Sequence, residues 1–288
     1  MNTHTSFPYD IAIVGLGMSG VHQMTREVEA TIRRSRHLFV TDVANGVIDH
    51  LRALCPRITD LTKHHATSSH RVLLYRKMAS EVVAAAMDAA PVCFASDGHP
   101  KMYCYPSTLI QRAAELLNLR TVLLPGISSL DTLLTDLGID PGADGLQVYE
   151  ASDALIRQRP LQADVGCVIY QVPIVLEADN RIPGQHSRDR LRRFQDYLLK
   201  FYPAEHVALF VTTKTHPLLE TITQRIAIRH LADRLLINST MGSLYIPPVE
   251  HRAVFEQELA ERMTLREHVS KPPARRADRP AVGPKPPR

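Results

Sequence analysis

Short apolar runs alternate with amphipathic stretches along the chain, from about residue 10 to residue 250. The apolar runs are about four to six residues long, which is typical of strands that are buried on both faces of a parallel sheet. The longer stretches between them have the spacing of helices that bury one face. The pattern therefore predicts an α/β fold.

The predicted elements are more regular in the first half of the chain. Predicted strands there lie at 10–15, 38–41, 92–96 and 121–124, and predicted helices at 27–35, 49–54, 71–90 and 106–117. In the second half we expect strands at 147–149, 167–172, 206–212, 234–238 and 243–246. We expect helices there at 129–138, 187–201, 217–229 and 254–263.

A proline-glycine pair at Pro125 and Gly126 follows the last strand of the first half and suggests a boundary. We expect an N-terminal α/β domain at 1–124, a second α/β domain at 125–250 and a helix at 251–269. Residues 270–288 contain six prolines, six basic residues and one acidic residue. This segment has too few large apolar residues to offset the entropy of ordering, so it is predicted to be a disordered basic tail.

The charge of the chain lies mainly in that tail. The net charge is +4, yet residues 1–269 hold 28 basic and 29 acidic side chains. A nearly neutral body lacks the broad basic surface that nucleic-acid binding requires. The four cysteines are scattered, there is no secretory signal, and no apolar run is long enough to span a membrane. We therefore expect a cytoplasmic protein with free thiols.

A glycine-rich loop follows the first predicted strand. Gly15, Gly17 and Gly20 fit the G-x-G-x-x-G spacing, and Asp42 follows 22 residues beyond Gly20. This combination is typical of dinucleotide-binding folds, in which an acid binds the ribose hydroxyls. It makes an NAD-dependent oxidoreductase one alternative.

The residues after the loop argue against a dinucleotide. In such folds the helix begins within the glycine loop, so that its N-terminus meets the pyrophosphate. Here residues 21–24 extend the loop, and Thr25 is the predicted N-cap of the helix. The motif alone does not decide between the alternatives.

Four segments together resemble the tetrapyrrole methylases. They are the opening IVGLGMSGVHQMT, the run SDGHP at 96–100, the turn LPGISS at 124–129 and the last strand MGSLYIPP at 241–248. Within this superfamily the chain is most similar to borosin-type peptide backbone α-N-methyltransferases. That similarity rests on the GHP loop, on DLGIDP at 136–141 and on YEASDALIRQRP at 149–160.

The resemblance implies a two-domain fold that binds S-adenosylmethionine in a cleft between the domains. It also implies a homodimer. The positions that match the family's cofactor-binding residues are Asp97, His99, Met102, Tyr103, Ser128, Gln171, Gly242 and Ser243.

The resemblance further assigns catalysis to Arg71 and Tyr75, which are four residues apart and share one face of a predicted helix. An amide nitrogen is a poor nucleophile because its lone pair is delocalised into the carbonyl. A fixed guanidinium stabilises charge on the carbonyl oxygen, and a tyrosinate is a plausible base. The alternative is that both residues are simply displayed on the surface of a long helix.

Two departures from the borosin pattern are visible. The segment before the helix, at 61–65, reads LTKHH and lacks the family's tyrosines, and Asp97 replaces the tyrosine before GHP. The histidines of this segment do not have the spacing of a metal site, so no metal is predicted. The missing tyrosines also leave open a binding module without turnover.

The acceptor is not specified by the chain. Residues 270–288 are charged and proline-rich, unlike the apolar core peptides of the borosins, so methylation of this tail is not expected. We expect a separate peptide as the acceptor. A tetrapyrrole or another small molecule is the alternative within the same cofactor class.

Overall fold

A computed structural model describes residues 7–41, 45–66, 70–179, 187–216, 218–235 and 242–264. Two compact units are present, Met1–Val249 and Glu250–Arg288. Within the described part of the second unit, Gln257–Thr264 forms a helix. Asp42 and the predicted tail at 270–288 lie outside the described residues.

The first unit begins with a parallel sheet of five strands. These are β1 (Ile11–Gly15), β2 (His37–Thr41), β3 (Ile58–Asp60), β4 (Val92–Ser96) and β5 (Thr121–Leu124), in the spatial order β3-β2-β4-β1-β5. Every residue of β1, β2 and β4 is buried, because helices cover both faces of the sheet.

Four helices cover this sheet: α1 (Arg26–Arg34), α2 (Asn45–Leu54), α3 (Arg71–Ala89) and α4 (Tyr105–Leu116). Strand residues alternate between the two faces. Ala12 and Val14 pack in one core with residues of α1 and α2, whereas Ile11 and Ile13 pack in the other with residues of α3 and α4. The alternation thus places α3 over one face of β1.

A second sheet of five strands follows. Its strands are β6 (Leu146–Glu150), β7 (Gly166–Tyr170), β8 (Val207–Thr212), β9 (Ile222–Ala227) and β10 (Ser243–Ile246), in the order β6-β7-β10-β8-β9. Only β6 and β7 pair in parallel; the other three pairings are antiparallel. The accompanying helices are α5 (Ser129–Leu137), α6 (Pro141–Asp144), α7 (Ala151–Ile156), α8 (Ser187–Leu198) and α9 (Leu231–Arg234).

The two faces of the second sheet have different partners. Cys167 and Ile169 of β7 pack in a large core with α7 and α8. Val168 and Tyr170 face the other way and pack with Leu133 of α5. Met102, from the loop after β4, joins this smaller cluster and so brings the first sheet's loop against the second sheet.

The α/β fold is confirmed, and the predicted strands of the first half match the observed ones to within one residue. The helix predicted at 217–229 is wrong. Ile222–Ala227 is a strand that pairs along its length with β8, and this tertiary pairing overrides the local pattern. The strand predicted at 234–238 is also wrong at Arg234, which ends α9, while 236–238 lie outside the described residues.

The predicted domain boundary near Leu124 stays a prediction. The two sheets lie on either side of it, but Met1–Val249 forms one compact unit. In the described ranges, no helix has the length and apolar composition needed to cross a membrane.

Three glycines bring the ends of three neighbouring strands into backbone contact. Gly15 ends β1, Gly98 follows β4 and Gly126 follows β5. A Cβ atom on Gly15 would lie 2.8 Å from the Gly126 nitrogen, and one on Gly126 would lie 2.7 Å from the Gly15 carbonyl carbon. Both would also overlap the Gly98 carbonyl oxygen. Backbone atoms cannot move aside as a flexible side chain can, so only glycine fits here.

We predict that Gly126→Ala lowers the free energy of unfolding by about 3 kcal/mol, because the added methyl group overpacks fixed backbone. Gly46→Ala is the matched control, since a Cβ there meets nothing within 4 Å. Gly46 lies in α2, so its replacement should be neutral or stabilise by about 0.5 kcal/mol. Urea denaturation of both variants measures the difference. Equal effects of the two substitutions would contradict the packing argument.

Candidate active site

The candidate site lies at the carboxyl edge of the first sheet, where open α/β sheets bind their ligands. Gly15, Gly98 and Gly126 form its floor. Ser96, the last residue of β4, is buried at this edge. Its Oγ has no hydrogen-bond partner among the residues that the structure describes. A buried hydroxyl without a partner is costly, so this edge suits a polar ligand.

The glycine loop after β1 uses its amide groups internally. The Gly17 N–H donates to the Gly98 carbonyl at 3.1 Å, and the Gly98 N–H donates back to Gly17 at 3.2 Å. The Ser19 N–H donates to Oε1 of Gln23 at 2.8 Å. Helix α1 starts only at Arg26, and Thr25 caps it as predicted by accepting the Val28 N–H. This loop therefore does not present a row of amides at a helix N-terminus, as a pyrophosphate site does.

The GHP loop is a tight turn held by its own histidine. Nδ1 of His99 accepts the Lys101 N–H at 3.0 Å, and the His99 carbonyl accepts the Met102 N–H at 2.9 Å. Asp97 lies half-buried between β4 and this turn. His99 thus shapes the loop. Asp97 precedes this loop in the chain and Met102 follows it.

Tyr103 joins the loop to the second sheet. Its backbone is in the left-handed region, at φ 56°, which is unusual for a residue with a large side chain. Its ring packs against Tyr170, with the ring centroids 4.7 Å apart. Burial raises the pKa of both phenols, which keeps them neutral at physiological pH. Both rings can therefore line a pocket but are unsuited to act as bases.

The predicted cofactor residues of the second sheet surround Tyr170. Ser243 is paired with Tyr170 across β7 and β10, and Gly242 precedes it with φ 141°. Gln171 follows Tyr170 in the left-handed region, at φ 60°. The structure thus brings these positions together with Tyr103, which comes from the first sheet.

Ser128 is the N-cap of α5. Its Oγ accepts the Asp131 N–H at 3.3 Å, and its own N–H donates to the Asp131 carboxylate at 2.7 Å. This reciprocal capping box fixes the start of α5. The predicted role of Ser128 in cofactor binding stays a prediction.

Arg71 and Tyr75 contact each other on the first turns of α3. Nε and Nη2 of Arg71 donate to the Tyr75 hydroxyl oxygen at 3.3 and 3.2 Å. Nη1 of Arg71 donates to the Glu177 carbonyl at 3.5 Å. A guanidinium has five N–H donors, so further donors remain for a substrate oxygen. Two N–H groups on one phenol oxygen fix the position of that oxygen.

Tyr105, the first residue of α4, packs edge-on against the Tyr75 ring, with centroids 6.1 Å apart. It lies two residues after Tyr103 and connects the GHP loop with the Arg71–Tyr75 pair. Sequence reasoning gave Tyr105, Tyr170 and Glu177 no role. The run MYCYP at 102–106, directly after the GHP loop, was a signal for Tyr105, whereas the roles of Tyr170 and Glu177 depend on contacts between distant segments.

The segment that lacks the borosin tyrosines is tied to α3. Lys63 Nζ and His64 Nε2 each lie 2.8 Å from a carboxylate oxygen of Glu81, in the middle of that helix. Burial raises the pKa of Glu81, but the hydrogen bonds from Lys63 and His64 outweigh it and lower the pKa below its ordinary value. These side chains hold the segment in place beside α3.

Comparisons with known proteins identify the family and the fold. The model of the family described as tetrapyrrole (corrin/porphyrin) methylases matches residues 10–212. Among solved structures, the methyltransferase CobJ superposes with a TM-score of 0.58 at 15% identity, covering 85% of this chain and 96% of its own. A uroporphyrin-III C-methyltransferase from Thermus thermophilus, complexed with S-adenosylhomocysteine, superposes with a TM-score of 0.54 at 12% identity. It covers 83% of this chain and 98% of its own.

Curated relatives combine a methyltransferase with a peptide precursor. The methyltransferase/omphalotin A precursor of Omphalotus olearius is 27% identical over 84% of this chain and 58% of its own length. The methyltransferase/type I borosin cyclic peptide precursor of Coprinopsis marcescibilis is 29% identical over 83% of this chain and 62% of its own. The chain therefore spans about three-fifths of the length of these relatives.

We predict that Glu81→Gln lowers the free energy of unfolding by about 1 kcal/mol at neutral pH. The neutral glutamine side chain cannot form the ion pair with Lys63 and hydrogen-bonds less strongly to His64 than a carboxylate does. The pKa of Glu81 is lowered in the folded state, so the ionised form stabilises the fold above the ordinary value of 4.5. The difference between wild type and variant should be present at pH 7 and disappear as the pH falls through that lowered pKa. Urea denaturation across this range measures it. A difference that persists at the acid end would contradict the assignment.

Proposed function

The chain belongs to the tetrapyrrole (corrin/porphyrin) methylase family, and we propose that it transfers a methyl group from S-adenosylmethionine to a backbone amide nitrogen of a peptide. The contact between Arg71 and Tyr75 beside the carboxyl edge of the first sheet is the observation that carries this proposal. The family indicates methyl transfer as the type of reaction. The pair offers a proton acceptor and a group that stabilises charge on the carbonyl oxygen, and an amide acceptor requires both.

The residues at the edge fit the cofactor. The glycine contacts hold the ends of β1, β4 and β5 together at this edge, and the Ser96 hydroxyl is buried there without a partner among the described residues. Tyr103 and Tyr170 offer neutral aromatic surface. The positions that would hold S-adenosylmethionine are those predicted from sequence: Asp97, His99, Met102, Tyr103, Ser128, Gln171, Gly242 and Ser243. When bound, the cofactor supplies an electrophilic methyl group on a sulfonium.

Arg71 would act on the acceptor's carbonyl. Delocalisation of the amide lone pair makes the nitrogen a weak nucleophile and places partial negative charge on the oxygen. As the amide loses its proton, that negative charge grows. A guanidinium fixed by Tyr75 and by the Glu177 carbonyl stabilises it without reorganising.

In its phenolate form, Tyr75 would take the amide proton and become the neutral phenol. Its hydroxyl oxygen accepts hydrogen bonds from two N–H groups of Arg71, which orient it. The edge-on contact with Tyr105 fixes the ring. Tyr75 and Arg71 lie side by side, so the base can remove the proton of the amide nitrogen while the guanidinium stabilises the carbonyl oxygen of the same amide.

A peptide acceptor is supported by the curated relatives, whose names join a methyltransferase to a peptide precursor. We infer that the acceptor is a peptide other than residues 270–288, because that segment is rich in proline and basic side chains. Incubation of the protein with S-adenosylmethionine and a pooled library of synthetic peptides, read by tandem mass spectrometry, tests this. Methyl groups on backbone amides support the proposal, and methyl groups only on side chains, or none, overturn it.

We also propose a homodimer located in the cytoplasm. Leu116 at the end of α4 is 84% exposed and Met87 near the end of α3 is 63% exposed, so an apolar surface is available for a partner. All four cysteines are free, as a reducing compartment favours. Light scattering after gel filtration gives the oligomeric state.

We predict that Tyr75→Phe lowers the rate of methyl transfer to a library peptide about 100-fold, because the proton acceptor is removed. Arg71→Ala should lower it by a similar factor, because charge on the carbonyl oxygen is no longer stabilised. Single-turnover assays with tritiated S-adenosylmethionine measure both rates.

Arg76→Ala is the matched control. Arg76 lies on the same helix but is exposed, so its loss should leave the rate unchanged. If both active-site variants retain the wild-type rate, the pair is not catalytic. If all three variants lose activity together, the effect is on the helix and not on the chemistry.

A further inference from the structure

A short segment at 171–179, which we call the strap, connects the second sheet to the helix that carries Arg71. It leaves β7 at Gln171, and Val172 and Val175 are buried in the large core of the second sheet. Its far end pairs with the residue before α3, through an isolated antiparallel bridge between Asp179 and His70. One end of the strap is thus anchored in one sheet's core and the other end meets α3.

The strap holds Arg71 by two bonds. The Arg71 N–H donates to the Ala178 carbonyl at 3.0 Å, and Nη1 donates to the Glu177 carbonyl at 3.5 Å. Arg71 is the first residue of α3, where the N–H groups have no partner within the helix. Both its backbone and its side chain therefore rely on carbonyls of the strap.

An ion pair fixes those carbonyls. Oε2 of Glu177 lies 2.6 Å from Nη2 of Arg190 on α8, and Oε1 accepts the Asp179 N–H at 3.1 Å. The side chains of Arg190 and Glu177 are only 21% and 17% exposed. Arg192, on the same helix, pairs with Asp233 at 51% and 40% exposure. The pair on the strap is the more shielded from solvent, so removing one partner has the larger effect.

A serine fixes the bend just before these carbonyls. Leu176 is in the left-handed region at φ 55°, a strained conformation for a leucine. Its N–H donates to Oγ of Ser152 on α7 at 3.0 Å. This bond holds the bend that turns the next two carbonyls toward α3.

We propose that Arg190 and Ser152 are positioning residues for Arg71: they hold the strap so that its carbonyls fix the guanidinium against Tyr75. Neither residue touches the reacting atoms. The inference rests on the proposed function, since it concerns the placement of the proposed catalytic arginine. Its structural part, that the strap fixes Arg71, is measurable without any acceptor.

Amide hydrogen exchange at Arg71, followed by NMR on the full chain, tests that structural part. Because this N–H is protected by the Ala178 carbonyl and by no bond within α3, its exchange rate reports the strap contact. Arg190→Met should speed exchange at Arg71 about ten-fold or more, and Ser152→Ala should do so at both Leu176 and Arg71. Arg192→Met, the matched control, should change neither rate.

Kinetics with a peptide from the library then test the consequence. A misplacement of about 1 Å can cost about 100-fold in rate, so Arg190→Met should lower kcat ten-fold to about 100-fold. The KM for S-adenosylmethionine should stay within about two-fold of wild type, because the strap positions the acceptor side of the site. Arg190→Lys, which keeps the charge, should recover most of the rate.

The outcomes separate the two proposals. Unchanged exchange at Arg71 in both Arg190→Met and Ser152→Ala overturns the positioning role. Faster exchange with an unchanged kcat also overturns it, provided that Arg71→Ala lowers kcat. If Arg71→Ala itself leaves kcat unchanged, the proposed catalytic pair fails, while the exchange data still decide whether the strap fixes Arg71. Should Arg190→Met not fold, Ser152→Ala carries the test.

Discussion

Backbone contact among Gly15, Gly98 and Gly126 is the constraint on which the rest of the site depends. The ends of three neighbouring parallel strands approach so closely that no Cβ atom fits between them. The contact forces the glycine loop to pair with the GHP loop through Gly17 and Gly98, which uses amides that a dinucleotide would need. The same G-x-G-x-x-G spacing that is typical of NAD enzymes therefore serves a different purpose here.

From this floor the site extends across both sheets. The GHP loop carries Met102 and Tyr103 onto the second sheet, where Tyr103 packs against Tyr170. In the other direction, the strap returns from the second sheet to α3 and meets Arg71. These two connections, the GHP loop and the strap, form different parts of the proposed site. The first builds the aromatic side of the proposed cofactor site, and the second holds the arginine that we propose acts on the acceptor amide.

The sequence was sufficient for the elements and positions that depend on local chemistry. Buried apolar runs identified β1, β2, β4 and β5 but missed β3, which is short and not buried, and the Thr25 cap identified the delayed start of α1. The spacing of Arg71 and Tyr75 placed them on one face of a helix, and their side chains do meet. Elements that depend on distant partners were missed. Ile222–Ala227 was predicted as a helix because its strand character comes from pairing with β8. Ser152 stood in the run YEASDALIRQRP without an assigned role, and Arg190 and Glu177 gave no signal, since their roles arise only where α7, α8 and the strap meet.

Calorimetric titration with S-adenosylhomocysteine, with NAD in a parallel cell, tests the central claim most directly. The glycine floor, the internally bonded loop and the buried Ser96 hydroxyl predict binding of S-adenosylhomocysteine in the micromolar range and no heat with NAD. Heat of binding with NAD and none with S-adenosylhomocysteine would contradict the account and would indicate that the glycine loop binds a dinucleotide.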